Sequence, residues 1–144
     1  MDTVVLVTGG FDPVHSGHLA LIQEAQKLGP VIVGVNSDDW LVRKKGAAFF
    51  PLSERKLIMS SLKGVLMAFG FNDADGSAVD AIRKAKRIFP ESQLVFANGG
   101  DRTTGNTPEQ FAFQSDPQVV FAFGVGGEEK KNSSSWVLDQ WKSA

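Results

Sequence analysis

The sequence has no cysteine, which excludes disulfide bonds and thiolate metal sites and leaves the redox compartment unmarked. It has only two histidines, too few to build a His-rich zinc centre. Net charge is nearly absent as well, −1 from 15 basic and 16 acidic residues. There is then no general pull toward nucleic acid or an anionic membrane, and any phosphate site has to be basic locally. Long apolar runs are missing: the first, around Val4 to Val7, is too short for a signal-peptide core or a membrane span. A cytoplasmic protein with neither nucleic-acid nor membrane partners is the expectation. No internal repeat or low-complexity tract is visible. What is there is ordinary for a globular chain: 144 residues, 42% hydrophobic and 22% charged. One domain spanning residues 1–144 is expected, since a chain of this size buries roughly two thirds of its unfolded surface.

The apolar pattern alternates between two kinds of segment. Val4 to Val7, Val31 to Val35, Val65 to Phe69, Leu94 to Ala97 and Val119 to Phe123 are short, apolar and rich in β-branched or aromatic residues, as parallel strands covered on both faces should be. Between them lie helical stripes. Leu19, Ile22, Ala25 and Leu28 trace the first, stopped by Gly29-Pro30, and a short helix over Trp40 to Lys45 follows the second strand. Ser53 is expected to cap a helix bearing Leu57, Ile58 and Leu62, and Asp75 one running from about Gly76 to Phe89. Thr107-Pro108 opens Glu109 to Gln114, and Asn132 to Ser135 starts a last helix carrying Trp136, Val137 and Trp141. Strands alternating with helices predict an α/β fold: a Rossmann-like, doubly wound, mainly parallel five-stranded sheet with helices on both faces. Ligands in such sheets bind beyond the carboxyl ends of the strands. Four polar or glycine-rich stretches fall there: Gly9 to His18, Asn36 to Lys45, Asn98 to Arg102 and Gly124 to Ser135.

The first of these carries the chemistry. Thr8-Gly9-Gly10-Phe11-Asp12-Pro13-Val14-His15-Ser16-Gly17-His18 reads as a strand end, a tight turn and a helix start with two imidazoles three residues apart on one helical face. The first N–H groups of a helix lack intrahelical partners and its dipole is positive there, so a phosphate at this helix start would meet backbone and imidazole donors together. Gly17, without a side chain, would allow close approach. Asp12 reads either as an organiser of the loop or as a metal ligand.

The run from Gly9 to His18 resembles the nucleotidyltransferase superfamily with the His-x-Gly-His motif, including its preceding Gly-x-Phe-Asp context. The resemblance implies transfer of a nucleoside monophosphate from a triphosphate to a small phosphorylated or phosphonate acceptor with release of pyrophosphate. His15 and His18 would bind the triphosphate and stabilise the phosphoryl group in flight, with Thr8, Gly9, Gly10, Phe11 and Gly17 around it. Lys45, ahead of Lys44, resembles a lysine of the small cytidylyltransferases and would add positive charge. Ser53-Glu54-Arg55 resembles the family's Pro-x-x-E segment followed by an arginine, so Arg55 would grip phosphate; its other readings are an exposed helix residue or the partner of a carboxylate. Asn98-Gly99-Gly100-Asp101 resembles the Gly-Gly-Asp of glycerol-3-phosphate cytidylyltransferases and of the heptose-phosphate adenylyltransferase domain. It would belong to the nucleoside pocket, with Arg102 as a phosphate ligand. Ser133, Ser134 and Ser135 resemble the family's C-terminal hydroxyl cluster at a helix start and would hold a distal phosphate.

The implied substrates are CTP or ATP, CTP slightly favoured, with Mg²⁺ accompanying the triphosphate and its protein ligands unknown. A homodimer is also implied. The chain departs from the pattern at Asn132, where the family has an apolar residue, and between Gly124 and Lys131, where Arg-Thr-x-Gly is absent. That leaves the acceptor open, with Lys130 or Lys131 as substitutes for the missing charge. A catalytically inactive nucleotide-binding regulatory module on the same fold is the alternative. A dinucleotide redox domain is disfavoured, because the first turn lacks G-x-G-x-x-G.

Overall fold

The computed structural model describes residues 2–99, 107–125 and 139–141. Five strands, β1 (Thr3–Gly9), β2 (Val31–Val35), β3 (Val65–Gly70), β4 (Gln93–Gly99) and β5 (Val119–Val125), form one sheet in the order β3-β2-β1-β4-β5. Every pairing is parallel. Between them run α1 (Ser16–Gln26), α2 (Asp38–Lys45), α3 (Leu52–Ser60), α4 (Val79–Ile88) and α5 (Pro108–Phe113). The expected mainly parallel sheet is thus wholly parallel, and the doubly wound α/β architecture holds.

The strands sort their side chains by parity, as a pleated strand must. Val4, Leu6 and Ile32 point into a core with Ile82 and Ala85 of α4 and Phe113 of α5. Val5, Val7, Val31, Val33 and Val35 point the other way, against Ile22 and Ala25 of α1 and Met59 of α3. All five residues of β2 are buried, whereas no residue of edge strand β3 is. Central strands covered on both faces have no room for a polar side chain, which is why β1 and β2 read as unbroken apolar runs.

Two helix starts differ from the sequence expectation. α3 begins at Leu52 with Pro51 as its N-cap, not at Ser53, because Pro51 presents its carbonyl to the amides of Glu54 and Arg55. α4 begins at Val79 rather than near Gly76. Asp75 spends its carboxylate on the amide and hydroxyl of Ser77, Gly76 turns the chain at φ +80°, and the amide of Ala78 is taken by the buried carboxylate of Glu109 from α5. A capping signal in sequence is local; here a side chain 31 residues away competes successfully for the helix end.

The chain runs outward from β1 to β2 and β3 on one side, and to β4 and β5 on the other. The direction reverses between β1 and β4, and at such a point loops from opposite sides splay apart to leave a crevice beyond the carboxyl ends of the strands. The loop from β1 to α1 stands at that reversal.

Candidate active site at the carboxyl end of the first strand

The two histidines cap α1 reciprocally. His15 is the N-cap, with extended backbone, and its Nδ1 accepts from the amide of Gly17 at 3.1 Å. His18, at the third helical position, returns the contact: its Nδ1 accepts from the amide of His15 at 3.2 Å. This is the logic of a capping box, with imidazoles in place of the usual hydroxyl and carboxamide. A backbone N–H can only donate, so each Nδ1 must be the bare nitrogen, and the neutral rings carry their proton on Nε2. The rings stack at 3.8 Å between centroids, and Phe11 meets His18 edge-on at 4.9 Å. The sequence expectation of a shared helical face is replaced by cap-to-helix pairing, since His15 lies just outside the helix.

The glycine loop beneath the rings is tightly enclosed. Phe11 is buried and holds φ at +51°, a left-handed conformation rare for an aromatic residue, and its ring packs under Gly9. A Cβ at Gly10 would lie 2.9 Å from a Leu41 methyl and 3.3 Å from the Trp40 ring, so any side chain there would have to displace those of α2. The buried Asp12 carboxylate accepts from the amides of Phe49 and Phe50 at 2.5 and 2.7 Å, and its carbonyl accepts from Lys45 Nζ at 3.0 Å. Of the two readings of Asp12, organiser of a loop is the one this geometry favours.

Arg55 is fully buried. Its Nε donates to Phe50 O, one terminal nitrogen donates to Gly10 O and Asn36 O, and the other meets the half-exposed Asp38 carboxylate at 2.6 Å. Of the sequence readings of Arg55, this geometry favours the carboxylate-paired one over a phosphate grip: a planar fork of donors is spent on four protein acceptors from three segments, which it ties together. Asp73, just past β3, was not singled out from the sequence. Its carboxylate accepts from Asn36 Nδ2, Ser37 N and Ser37 Oγ at 2.9, 2.8 and 2.6 Å.

Comparison with known proteins fits this geometry. The family model described as Cytidylyltransferase-like matches residues 6–104. The chain belongs to the cytidylyltransferase-like family. It is 34% identical over 113 residues to Bifunctional protein HldE of Enterobacter sp., an alignment covering 69% of this chain and 24% of that protein. The chain therefore spans about a quarter of the length of the curated relatives it matches. Among solved structures, the lipopolysaccharide core biosynthesis protein from Thermoplasma volcanium superposes with a TM-score of 0.65 at 25% identity, covering 85% of this chain and 95% of that one. A bifunctional NMN adenylyltransferase/ADP ribose pyrophosphatase from Francisella tularensis shares the fold, with a TM-score of 0.61 at 17% identity over 99% of this chain and 43% of its own.

In this cytidylyltransferase-like chain the structure brings together His15, Gly17, His18, Gly9, Gly10, Phe11 and Lys45. Thr8 lies at the end of β1 beside Gly34 of β2. Lys44 is exposed, its ammonium 4.5 Å above the Trp40 ring. The backbone of Asn98 and Gly99 belongs to β4, which runs further than expected, with Gly99 opposite Val125. Gly100, Asp101, Arg102, Lys130, Lys131, Ser133, Ser134 and Ser135 lie outside the described residues, as does the start of the last helix; residues 139–141 are helical.

Burial, then the neighbouring His15 and Lys45, push the His18 imidazole down to about 3. Lys45 is lowered too, by burial first, with the Asp12 carboxylate opposing and Lys44 and Arg55 reinforcing the shift. His18 is therefore a neutral donor at physiological pH. The unfolded chain takes up a proton on this ring near its ordinary value of 6.5, whereas the folded chain resists until about 3. Stability contributed by the neutral ring is thus lost as pH falls through that window, with a slope approaching about 1.4 kcal/mol per pH unit. The urea midpoint of the wild-type chain is expected to fall more steeply between pH 6 and 4 than that of His18→Gln, which cannot titrate. Superimposable acid limbs would remove the assignment.

Proposed function

We propose that this chain is a nucleotidyltransferase that transfers CMP or AMP from a nucleoside triphosphate to a small phosphorylated or phosphonate acceptor. The observation that carries the reading is the pair of imidazoles at the start of α1, each with Nδ1 filled by a backbone amide, which leaves Nε2 to donate. Two imidazole donors at a helix N-terminus, with Lys45 alongside, suit a phosphoryl group that gains charge in flight. The acceptor phosphate oxygen attacks the α-phosphorus and forms the new P–O bond. The bond from the α-phosphorus to its bridging oxygen breaks, and pyrophosphate leaves with the electron pair. An acceptor phosphate is already a nucleophile, so no general base is needed, and catalysis reduces to aligning two anions and neutralising charge.

Mg²⁺ enters this reading as the companion of the triphosphate. Among the described residues no group of three or more His, Asp or Glu side chains could hold a metal ion, and Asp12 is committed to two backbone amides. The resemblance of Asn98-Gly99-Gly100-Asp101 to glycerol-3-phosphate cytidylyltransferases and to the heptose-phosphate adenylyltransferase domain supports a phosphorylated polyol or sugar as acceptor, without selecting the base.

The test is pyrophosphate release with CTP, ATP, GTP and UTP, each with Mg²⁺, across a panel of sugar, polyol and short-chain phosphates and phosphonates. Release is expected with CTP or ATP and only in the presence of acceptor. A folded chain that binds nucleotide but turns over none of them would leave only the binding-module alternative standing.

A further inference from the structure

We infer that Asp73 is a positioning residue that sets where α2 delivers Lys45 beside the α1 imidazoles, an inference that rests on the nucleotidyl-transfer reading above. α2 has eight residues and only one buried side chain, Leu41. A helix so short has no stability of its own, and one apolar anchor fixes neither its tilt nor its rotation. Polar contacts must do that, and Asp73 makes them at both ends. At the start, its carboxylate takes the amide and hydroxyl of Ser37, the N-cap, together with Asn36 Nδ2. Ser37 Oγ in turn accepts from the amide of Trp40 at 3.0 Å. In the last turn, Arg43 donates to the Asp73 carbonyl at 2.9 Å.

The clamp is itself rigid. Asp73 is 3% exposed, and its carboxyl stays ionised because the Ser37 and Asn36 hydrogen bonds outweigh the cost of burial. Arg55 holds the start of the same helix through Asp38. Between the two, α2 presses Trp40 and Leu41 onto Gly10 and carries Lys45 to the Asp12 carbonyl, within electrostatic reach of His18. Asp73 is buried against Asn36 and Ser37, and it acts through α2.

Pyrophosphate release by the 144-residue chain, with the triphosphate and acceptor found active in the panel, tests the role. Asp73→Ala is expected to lower kcat about 10- to 100-fold, the scale of a misplacement near 1 Å. The triphosphate KM should change by less than about threefold, since the α1 caps are untouched. Asp73→Asn, which keeps one acceptor oxygen, should recover part of the loss. In a cycle with Lys45→Ala, adding Asp73→Ala should cost less than about twofold more, because the lysine it positions is gone. Amide exchange across residues 41–45 of the free chain should quicken at least about tenfold in Asp73→Ala while α1 is unchanged.

Full additivity with Lys45→Ala, or a kcat within about twofold of wild type, overturns the role. Unchanged exchange in α2 overturns it even in a chain that turns over no substrate. Wild-type inactivity across the panel strikes the reaction reading alone. If Asp73→Ala does not fold, Ser37→Ala removes one arm of the clamp and enters the same cycle and exchange measurement with the same expectations in kind.

Discussion

His18→Ala is expected to lower kcat for pyrophosphate release about 10²- to 10³-fold, the usual cost of losing one donor aimed at developing charge. The substitution removes two things at once: the Nε2 donor and the acceptor for the His15 amide. His18→Gln separates them. A glutamine at the third helical position can still accept from the N-cap amide, as capping boxes do, but offers no imidazole donor at the same place. The glutamine variant should therefore retain most of the stability that alanine loses, about 1 kcal/mol, while sharing its kinetic defect. If both variants release pyrophosphate at the wild-type rate, the imidazole pair is only a helix cap. An inactive binding module predicts no rate to lose in any of the three chains, with nucleotide binding still saturable.

Arg55→Ala should act on the fold before any ligand is present. The guanidinium is fully buried, and its removal leaves the carbonyls of Gly10, Asn36 and Phe50 without their donor. Truncating one side of such a buried network costs about 3–5 kcal/mol, a large share of the stability of a domain this size. Arg55→Lys should recover little, because a single ammonium cannot span acceptors laid out for a planar fork. Urea unfolding of the free chain measures both. The outcome separates the two roles an arginine could have here. A phosphate ligand would leave apo stability intact and weaken substrate binding alone, whereas a mount for the glycine loop loses stability with no substrate in the tube. A loss below about 1 kcal/mol in Arg55→Ala would restore the ligand reading.

His18 and Arg55 also differ in how much of their role was legible. The histidines stand in a ten-residue stretch that begins at a strand end and runs into a helix, so residue type, spacing and setting could be read together. What that stretch did not disclose is that the rings cap their own helix, since the familiar capping signal is a hydroxyl followed by a carboxylate or carboxamide. Arg55 sits at a helix start among polar residues, where an exposed side chain is the ordinary outcome. Its burial follows chiefly from Gly10 and Asn36, 45 and 19 residues away in the chain, too far to mark it.

Taken alone, the sequence determined the parallel α/β sheet and the identity of the His15, Gly17, His18 turn, because each is written in local pattern: apolar runs for buried strands, a helical period between them, and a motif at a strand end. Only the tertiary structure decided what holds that turn in place. Asp12 reaches Phe49 and Phe50 across 37 and 38 residues, Asp73 reaches Ser37 across 36, and Arg55 reaches Gly10 across 45. Contacts at such separations leave no period and no spacing rule in the chain. Asp, Asn and Ser in loops look the same whether they cap a local turn or anchor a distant helix. The turn is named by its neighbours in sequence, and its shape is set by neighbours in space.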